Sequence, residues 1–335
     1  MSNKKSLSFI NIFLILLIIS ISGVIYYSIY HKGSEPANFE MVNVESTDEY
    51  KVYYYNQISD GAKIMYSTIL SNIEAFKSSN EEIKFPNDDK IKDKDFQTAW
   101  DAIMLDRPEY FFLDARNITL ITRKTTFVNL NRIQYSVAPS KRGINGEYSP
   151  YFSRVFGSEE EINLAAGQIK SAADKIISGT LNYKSRYDKL KYIHDTIIAN
   201  TDYNQHDDFN NNTIYGLLVK HKCMCQGYAY TMKYICDQIG IPCIVVNGDG
   251  INSSNQIEAH AWNYIKMEDG KWYALDATWD DPIIIGNGRI GNDVKYKYFL
   301  KGSDTFFKNH TENGDVSRTG QTFVYKEISK TDYEI

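Results

Sequence analysis

The chain has 335 residues, enough for two domains and a sizeable core. Apolar residues make up 43% and charged residues 24%, proportions that exclude a largely disordered or collagen-like chain. A formal net charge of −5 argues against a protein built to wrap nucleic acid, and four cysteines exclude a disulfide-stapled scaffold.

The first informative segment is an uncharged apolar stretch from Leu7 to Tyr30, which follows two lysines. At ~1.5 Å per residue in a helix, it is long enough to cross the ~30 Å hydrocarbon core of a bilayer. We therefore predict a single-pass membrane anchor at residues 1–32. A cleaved signal peptide is the alternative, because small residues occur at a suitable spacing before Gly23. Both interpretations place the rest of the chain outside the cytoplasm.

Changes of pattern predict the organisation of the exported part. A linker at 33–48 precedes an accessory α+β domain at 49–140, a catalytic domain at 150–310 and a C-terminal extension at 311–335. The predicted elements, in chain order, are helix within 49–78, a turn at 85–89, a short helix through Trp100 and Met104, alternating strands within 118–138, and helices at 158–179 and 184–200.

The chemistry-bearing residues begin at Cys225, which starts the stretch Cys-Gln-Gly-Tyr-Ala. A helix is predicted to run on from it, with apolar residues on one face, and to end at Gly240 before the apolar strand 243–246. A helix N-terminus stabilises an anion, so a thiolate is favoured at Cys225. The same backbone N–H groups are placed to hold an oxyanion.

A β-hairpin signal follows, in which Asp269-Gly270 separates two strands that carry His260 and Asp276. A two-residue turn would put His260 and Asp276 on opposite faces, whereas a three-residue loop at 268–270 puts them on the same face. The second register makes a His–Asp pair available, in which the carboxylate orients the imidazole and stabilises its cation. Asp280 and Asp281 are expected only to cap the turn before Pro282.

Three blocks together resemble bacterial transglutaminase-like domains, relatives of animal transglutaminases with a papain-like core. The blocks are Cys225-Gln-Gly-Tyr-Ala, His260-Ala-Trp-Asn, and Trp272-Tyr with Leu275-Asp-Ala-Thr-Trp-Asp-Asp-Pro. The resemblance implies an α+β fold in which a nucleophile helix packs on an antiparallel sheet. It also implies that Cys225 is the nucleophile, His260 the base and Asp276 the orienting acid.

Several points depart from the family's pattern or stay open. The family usually has glycine at the place where Lys222 or Cys223 stands, and Cys223 either forms a strained link with Cys225 or simply packs. A metal site is not predicted, since a one-residue gap between cysteines suits tetrahedral zinc poorly, and no cofactor is implied. The motifs do not fix the side chain that holds the oxyanion or substrate; the candidates are Tyr203, Tyr215, Tyr228 and Trp262.

The sequence thus predicts an extracytoplasmic cysteine acyltransferase that forms a thioester on Cys225 from a carboxamide or peptide carbonyl. Its location favours cell-wall peptides or surface proteins as substrates, and its membrane contact is the N-terminal helix. A cysteine peptidase or amidase with the same triad, and a non-catalytic domain that binds wall peptides or a partner, are the alternatives.

Overall fold

The computed structural model describes residues 48–78, 80–127, 130–140, 150–204, 208–281, 291–314 and 321–335. The predicted anchor lies outside this part of the chain, as does almost all of the predicted linker. Within the described ranges, no helix has both the length and the apolar character needed to cross a bilayer. The anchor therefore stays a prediction.

The region after the linker opens with two 3₁₀ turns and then three helices, of which the first two share the predicted helical segment. These are α1 (Asp60–Ser71), α2 (Ile73–Ser78) and α3 (Asp95–Asp106). The Ser59 hydroxyl accepts the Ala62 N–H and caps α1. It also donates to Asp95 at the start of α3, which ties the two helices together.

The alternating segment forms strands, as predicted, and these strands pair as an antiparallel hairpin. Strands β2 (Ile118–Phe127) and β3 (Leu130–Pro139) pair along their length, and the short β1 (Ile83–Lys84) adds to the other edge of β3. A further pair of helices follows as α4 (Glu159–Thr180) and α5 (Arg186–Ala199), each capped by a serine, Ser158 and Ser185. The predicted helix boundaries differ from these by two residues at most.

The next segment turns back before the helix that carries Cys225. Two short strands, β4 (Asp202–Tyr203) and β5 (Lys222–Cys223), pair in parallel. Helix α6 then runs from Cys225 to Gln238 and ends where Gly240 takes the left-handed conformation, at φ 70°. The predicted helix start and stop are both confirmed.

A four-stranded antiparallel sheet supports α6. Its strands are β6 (Cys243–Ile251), β7 (Ile257–Lys266), β8 (Trp272–Leu275) and β9 (His310–Glu312), in the order β8-β7-β6-β9. The short helices α7 (Asn292–Lys295) and α8 (Ser303–Phe306) lie between β8 and β9 in the chain. The mixed α+β class predicted from the sequence is confirmed.

Two apolar layers cover the two faces of this sheet. Alternate β6 residues such as Cys243 and Val245 belong to the large core that includes α6, while Ile244 and Val246 face a second cluster. The second cluster consists mainly of aromatic residues and includes Trp262, Tyr264, Tyr298 and Phe306. The sheet is therefore buried on both sides, and residues at its edge can be held away from water.

The predicted accessory region packs against the predicted catalytic region. Tyr54 is fully buried, and its hydroxyl donates to the carbonyl of Val245 in β6. The predicted C-terminal extension also contributes to the core, because Phe323 and Ile328 are buried and β9 pairs with β6. The domain boundaries themselves stay a prediction.

Candidate active site

Cys225 occupies the first turn of α6, as the sequence predicted. The preceding residue, Met224, has an extended backbone and places no side-chain cap over the helix start. The N–H groups of a first helical turn have no partner inside the helix, so they favour a negative charge at this point. Cys225 is half-buried, and all four cysteines are free thiols.

A glycine two residues after Cys225 allows the helix start to approach the preceding strand. A Cβ atom on Gly227 would lie 2.6 Å from the Cβ of Cys223 and 3.0 Å from the carbonyl oxygen of Asn211. The same carbonyl accepts the N–H of Met224 at 2.7 Å. The motif glycine therefore fixes the position of Cys225 through close backbone packing.

The register of the β7–β8 hairpin is the one that brings His260 and Asp276 together. Pairing runs from Lys266↔Trp272 to Asn263↔Leu275, which is the predicted three-residue-loop register. His260 Nε2 lies 2.8 Å from Asp276 Oδ2, and both residues are buried. The prediction that the two side chains lie within hydrogen-bond reach is confirmed.

The surroundings of His260 favour its charged form. Burial opposes the charge, but Asp276, and after it the Cys225 thiol, outweigh burial and raise the pKa of His260 to about 10. Because Nε2 is bound to Asp276, Nδ1 is the ring nitrogen left for the thiol. The ring of Trp279 stacks on His260 at 4.7 Å between centroids and covers it from one side.

Asp276 is held by four donors. Its Oδ1 accepts the backbone N–H groups of Thr278 at 3.0 Å and Trp279 at 3.2 Å. Its Oδ2 faces Nε2 of His260 and, at 3.1 Å, Nε2 of His310. Burial alone would raise the pKa of Asp276, but the charge and hydrogen bonds of His260, with those of His310, hold it well below its usual range. The carboxylate is therefore ionised although it is only 1% exposed.

The sequence analysis missed His310. It lies at the start of β9, 34 residues beyond Asp276, and no motif marks it. Only the antiparallel pairing of β9 with β6, where His310 lies opposite Gly250, brings it to Asp276.

The neighbouring cysteine is placed differently from Cys225. Cys223 is fully buried in β5, and burial raises the pKa of its thiol far above the ordinary value. Cys236 and Cys243 are also fully buried. The geometry therefore favours Cys225 as the reactive thiol, and Cys223 packs without a disulfide.

The four candidates for holding the oxyanion or substrate are spread over different surroundings. Tyr203 lines a cleft of about 570 Å³ beside Trp279. Tyr228 donates its hydroxyl to Asp281, and Tyr215 stacks on Phe111 in the core. Trp262 is 1% exposed and packs on Phe306 and His310. Tyr203 is thus the candidate with access to a cleft, and the role of each stays a prediction.

Asp280 and Asp281 do more than cap a turn, which corrects the sequence-based expectation. Asp280 Oδ2 lies 3.1 Å from Nε2 of the fully buried His194, and its Oδ1 accepts the Tyr298 N–H. Asp281 accepts the hydroxyl of Tyr228 on α6. These bonds anchor the loop after β8 to α5 and α6, and so they fix the place of Asp276. A buried histidine on α5 gave no signal that could have predicted them.

Within the described residues, His260, Asp276 and His310 also form a group able to hold a metal ion, since their ligand atoms lie within 4.8 Å of one another. Hydrogen bonds between the two rings and the carboxylate already account for this arrangement. The prediction that no metal takes part stays a prediction.

Comparison with known proteins identifies the class. The family model of the transglutaminase-like superfamily matches residues 170–277, a range that contains Cys225, His260 and Asp276. The chain therefore contains a transglutaminase-like domain, matched at residues 170–277.

A second similarity covers a smaller part of the chain. Over 68 residues, the chain is 32% identical to the Arabidopsis thaliana protein named probable serine/threonine-protein kinase SIS8. The match covers 20% of this chain and 6% of that protein, so the chain spans only a small part of this relative's length.

Solved structures also align with parts of the chain, among them the following two. One is described as a TGase, with 15% identity, 64% of this chain and 56% of that chain covered, and a TM-score of 0.33. The other is the periplasmic domain of TgpA from Pseudomonas aeruginosa bound to ethylmercury, with 18% identity, 44% and 56% covered, and a TM-score of 0.26. Scores this low add nothing to the assignment.

Proposed function

We propose that the protein is a cysteine acyltransferase in which Cys225, His260 and Asp276 act as a catalytic triad. The observation that carries this proposal is the buried His260–Asp276 pair at 2.8 Å, together with a thiol at the start of α6 that interacts with the same imidazole. A thiolate–imidazolium pair is the activated form of such a nucleophile.

The proposed reaction begins with attack of the Cys225 thiolate on a carboxamide or peptide carbonyl. The first-turn N–H groups of α6 stabilise the oxygen anion of the tetrahedral intermediate. His260 then gives its Nδ1 proton to the leaving nitrogen, the carbon–nitrogen bond breaks, and ammonia or an amine departs. A thioester on Cys225 remains, and an amine or water resolves it, with His260 taking the proton of the incoming group.

The cleft beside Trp279 is the proposed substrate entrance. It is lined by Tyr203, Trp279 and Tyr298 and by charged groups of both signs, among them Glu258 and Lys297. Trp279 separates this cleft from the ring of His260, on which it stacks. A substrate that enters by this cleft must pass Trp279 to bring its reacting group within hydrogen-bond reach of Nδ1 of His260.

The proposed substrates are cell-wall peptides or surface proteins, and the proposed location is the outer face of the cell membrane. Both proposals rest on the apolar segment from Leu7 to Tyr30. If that segment is cleaved, the protein is secreted and meets the same substrates.

The test incubates the soluble part, from residue 48 onwards, with wall fragments and a labelled primary amine, and reads the products by mass spectrometry. An amine adduct that disappears in Cys225→Ala supports acyl transfer to amines. Cys225-dependent cleavage without an adduct would show a peptidase or amidase with the same triad. Binding of the fragments without either product would show a non-catalytic domain and overturn the proposal.

A further inference from the structure

Aromatic side chains enclose His310 beside the proposed triad. Its ring stacks on Phe306 at 3.9 Å between centroids, and the rings of Trp262, Trp279 and Tyr298 lie at 4.5 to 5.2 Å. The side chain of His310 is fully buried, and its Nε2 lies 3.1 Å from Asp276 Oδ2. The ring therefore has one fixed orientation, with Nε2 directed at the carboxylate.

Nε2 of His310 faces the Asp276 carboxylate, which can only accept, so this nitrogen carries a proton. Burial, and the charge of His260 nearby, lower the pKa of His310 despite the opposing effects of Asp276 and of a hydrogen bond to the Phe306 backbone. A neutral ring that donates from Nε2 must accept at Nδ1, which lies 3.0 Å from the side-chain oxygen position of Asn309. A 180° turn of the Asn309 amide satisfies this bond and lets its oxygen accept the hydroxyl of Tyr298.

The charge that balances the Asp276 carboxylate changes in the course of the proposed reaction. In the resting state, the imidazolium of His260 balances its charge. Once His260 has given its proton to the leaving nitrogen, the ring is neutral, and Asp276 stays as an anion that is only 1% exposed. A buried anion without a countercharge is costly unless donors surround it.

We propose that His310 is a positioning residue that stabilises the Asp276 anion after His260 has given up its proton, and that it thereby makes His260 an effective acid toward a nitrogen leaving group. With His310 in place, three neutral donors besides His260 hold the Asp276 carboxylate. They are the Nε2–H of His310 and the backbone N–H groups of Thr278 and Trp279. Without His310, only the two backbone donors remain. The proton then stays on His260, and expulsion of an amine slows. This inference rests on the proposed function of the triad.

The test compares two substrates that share one γ-glutamyl group and differ in the leaving group. A p-nitroanilide must receive a proton to leave, whereas p-nitrophenolate leaves as an anion. Acylation rates are measured for the wild type, His310→Leu and His310→Gln. Leucine removes the donor, while the side-chain amide of glutamine places a donor near the position of Nε2. His310→Met is a second donorless variant in case leucine does not fold.

The donorless variant is expected to lose at least tenfold more acylation rate with the anilide than with the ester, which corresponds to about 1.4 kcal/mol. His310→Gln is expected to recover most of the difference. An equal loss with both substrates would show a merely structural role and overturn the inference, as would an unchanged anilide rate. Absence of Cys225-dependent acylation by the ester in the wild type would instead refute the proposed function.

Discussion

Replacing Asp276 with asparagine removes the charge of the buried pair and keeps its shape. The amide oxygen can still accept the backbone N–H groups of Thr278 and Trp279. The amide nitrogen then takes the place of Oδ2 and donates toward Nε2 of His260 and His310. His260 must therefore carry its proton on Nδ1, where it cannot accept the proton of the Cys225 thiol.

The size of the effect follows from the proton affinity of His260. Burial opposes its protonation, but Asp276 above all outweighs burial and raises the pKa of His260 to about 10 from an ordinary value of about 6.5. At about 1.36 kcal/mol for each tenfold change in proton affinity, the pair is worth about 4 to 5 kcal/mol as an upper bound. Loss of the imidazolium leaves the Cys225 thiol without a group that takes its proton, and a 100-fold loss of reactivity, about 2.7 kcal/mol, lies within this bound. Alkylation of Cys225 at pH 6 should therefore fall about 100-fold.

The assay is alkylation with limiting iodoacetamide between pH 5 and 9, with the Cys225 peptide quantified by mass spectrometry. Asp269→Asn is the matched control, because Asp269 lies in the turn of the same hairpin and accepts hydrogen bonds from the Lys271 N–H and the Tyr273 hydroxyl, without contact to His260. The control should alkylate at pH 6 at close to the wild-type rate. If Cys225 of Asp276→Asn alkylates at pH 6 within threefold of the wild-type rate, the role of the His260–Asp276 pair is refuted. An equal loss of rate in both variants would refute it as well.

Three further predictions concern the thiols, the packing of α6 and the pH dependence of stability. Cys225→Ala should abolish labelling by iodoacetamide at mildly acidic pH, whereas Cys223→Ser should leave it intact because Cys223 is fully buried. Preferential labelling of Cys223 would contradict the choice of nucleophile. Gly227→Ala should lower the free energy of unfolding in urea by about 1–3 kcal/mol, because its Cβ would lie 2.6 Å from the Cβ of Cys223. Gly167→Ala in α4 is the control, because a Cβ atom there would meet nothing within 4 Å, and it should raise the free energy of unfolding by about 0.5–1 kcal/mol. Equal effects of the two alanine substitutions would disprove the packing argument. Burial raises the pKa of Asp106 from 3.8 to about 7, so the folded state binds the extra proton, and stability should fall as pH rises from about 4 to 7. Asp106→Asn should reduce this dependence of stability on pH. If the dependence is unchanged in the variant, it arises from other groups.

Local patterns in the sequence predicted much of the fold around the site. The helical pattern located α4 and α5, and Gly240 marked the end of α6. Alternation located the β2–β3 hairpin. The face shared by His260 and Asp276 was predictable because side chains alternate along strands, so a three-residue loop leaves only one arrangement.

Other contacts of the site had no local signal. His310 reaches Asp276 only because β9 adds to the edge of β6, and short edge strands carry little periodicity. His194 meets Asp280 through the packing of α5 against the loop after β8, 86 residues away. Pairings of this kind depend on tertiary structure, which neither composition nor spacing encodes locally.

The most direct measurement of the central claim is capture of the acyl-enzyme. The chain from residue 48 onwards is incubated with a γ-glutamyl p-nitrophenyl ester, quenched in acid, digested and analysed by mass spectrometry. We predict that the acyl group is found on the Cys225 peptide of the wild type and of Cys223→Ser, that hydroxylamine removes it, and that Cys225→Ala carries none. An acyl group on Cys223 or another residue, or ester cleavage by Cys225→Ala at the wild-type rate, would contradict the account.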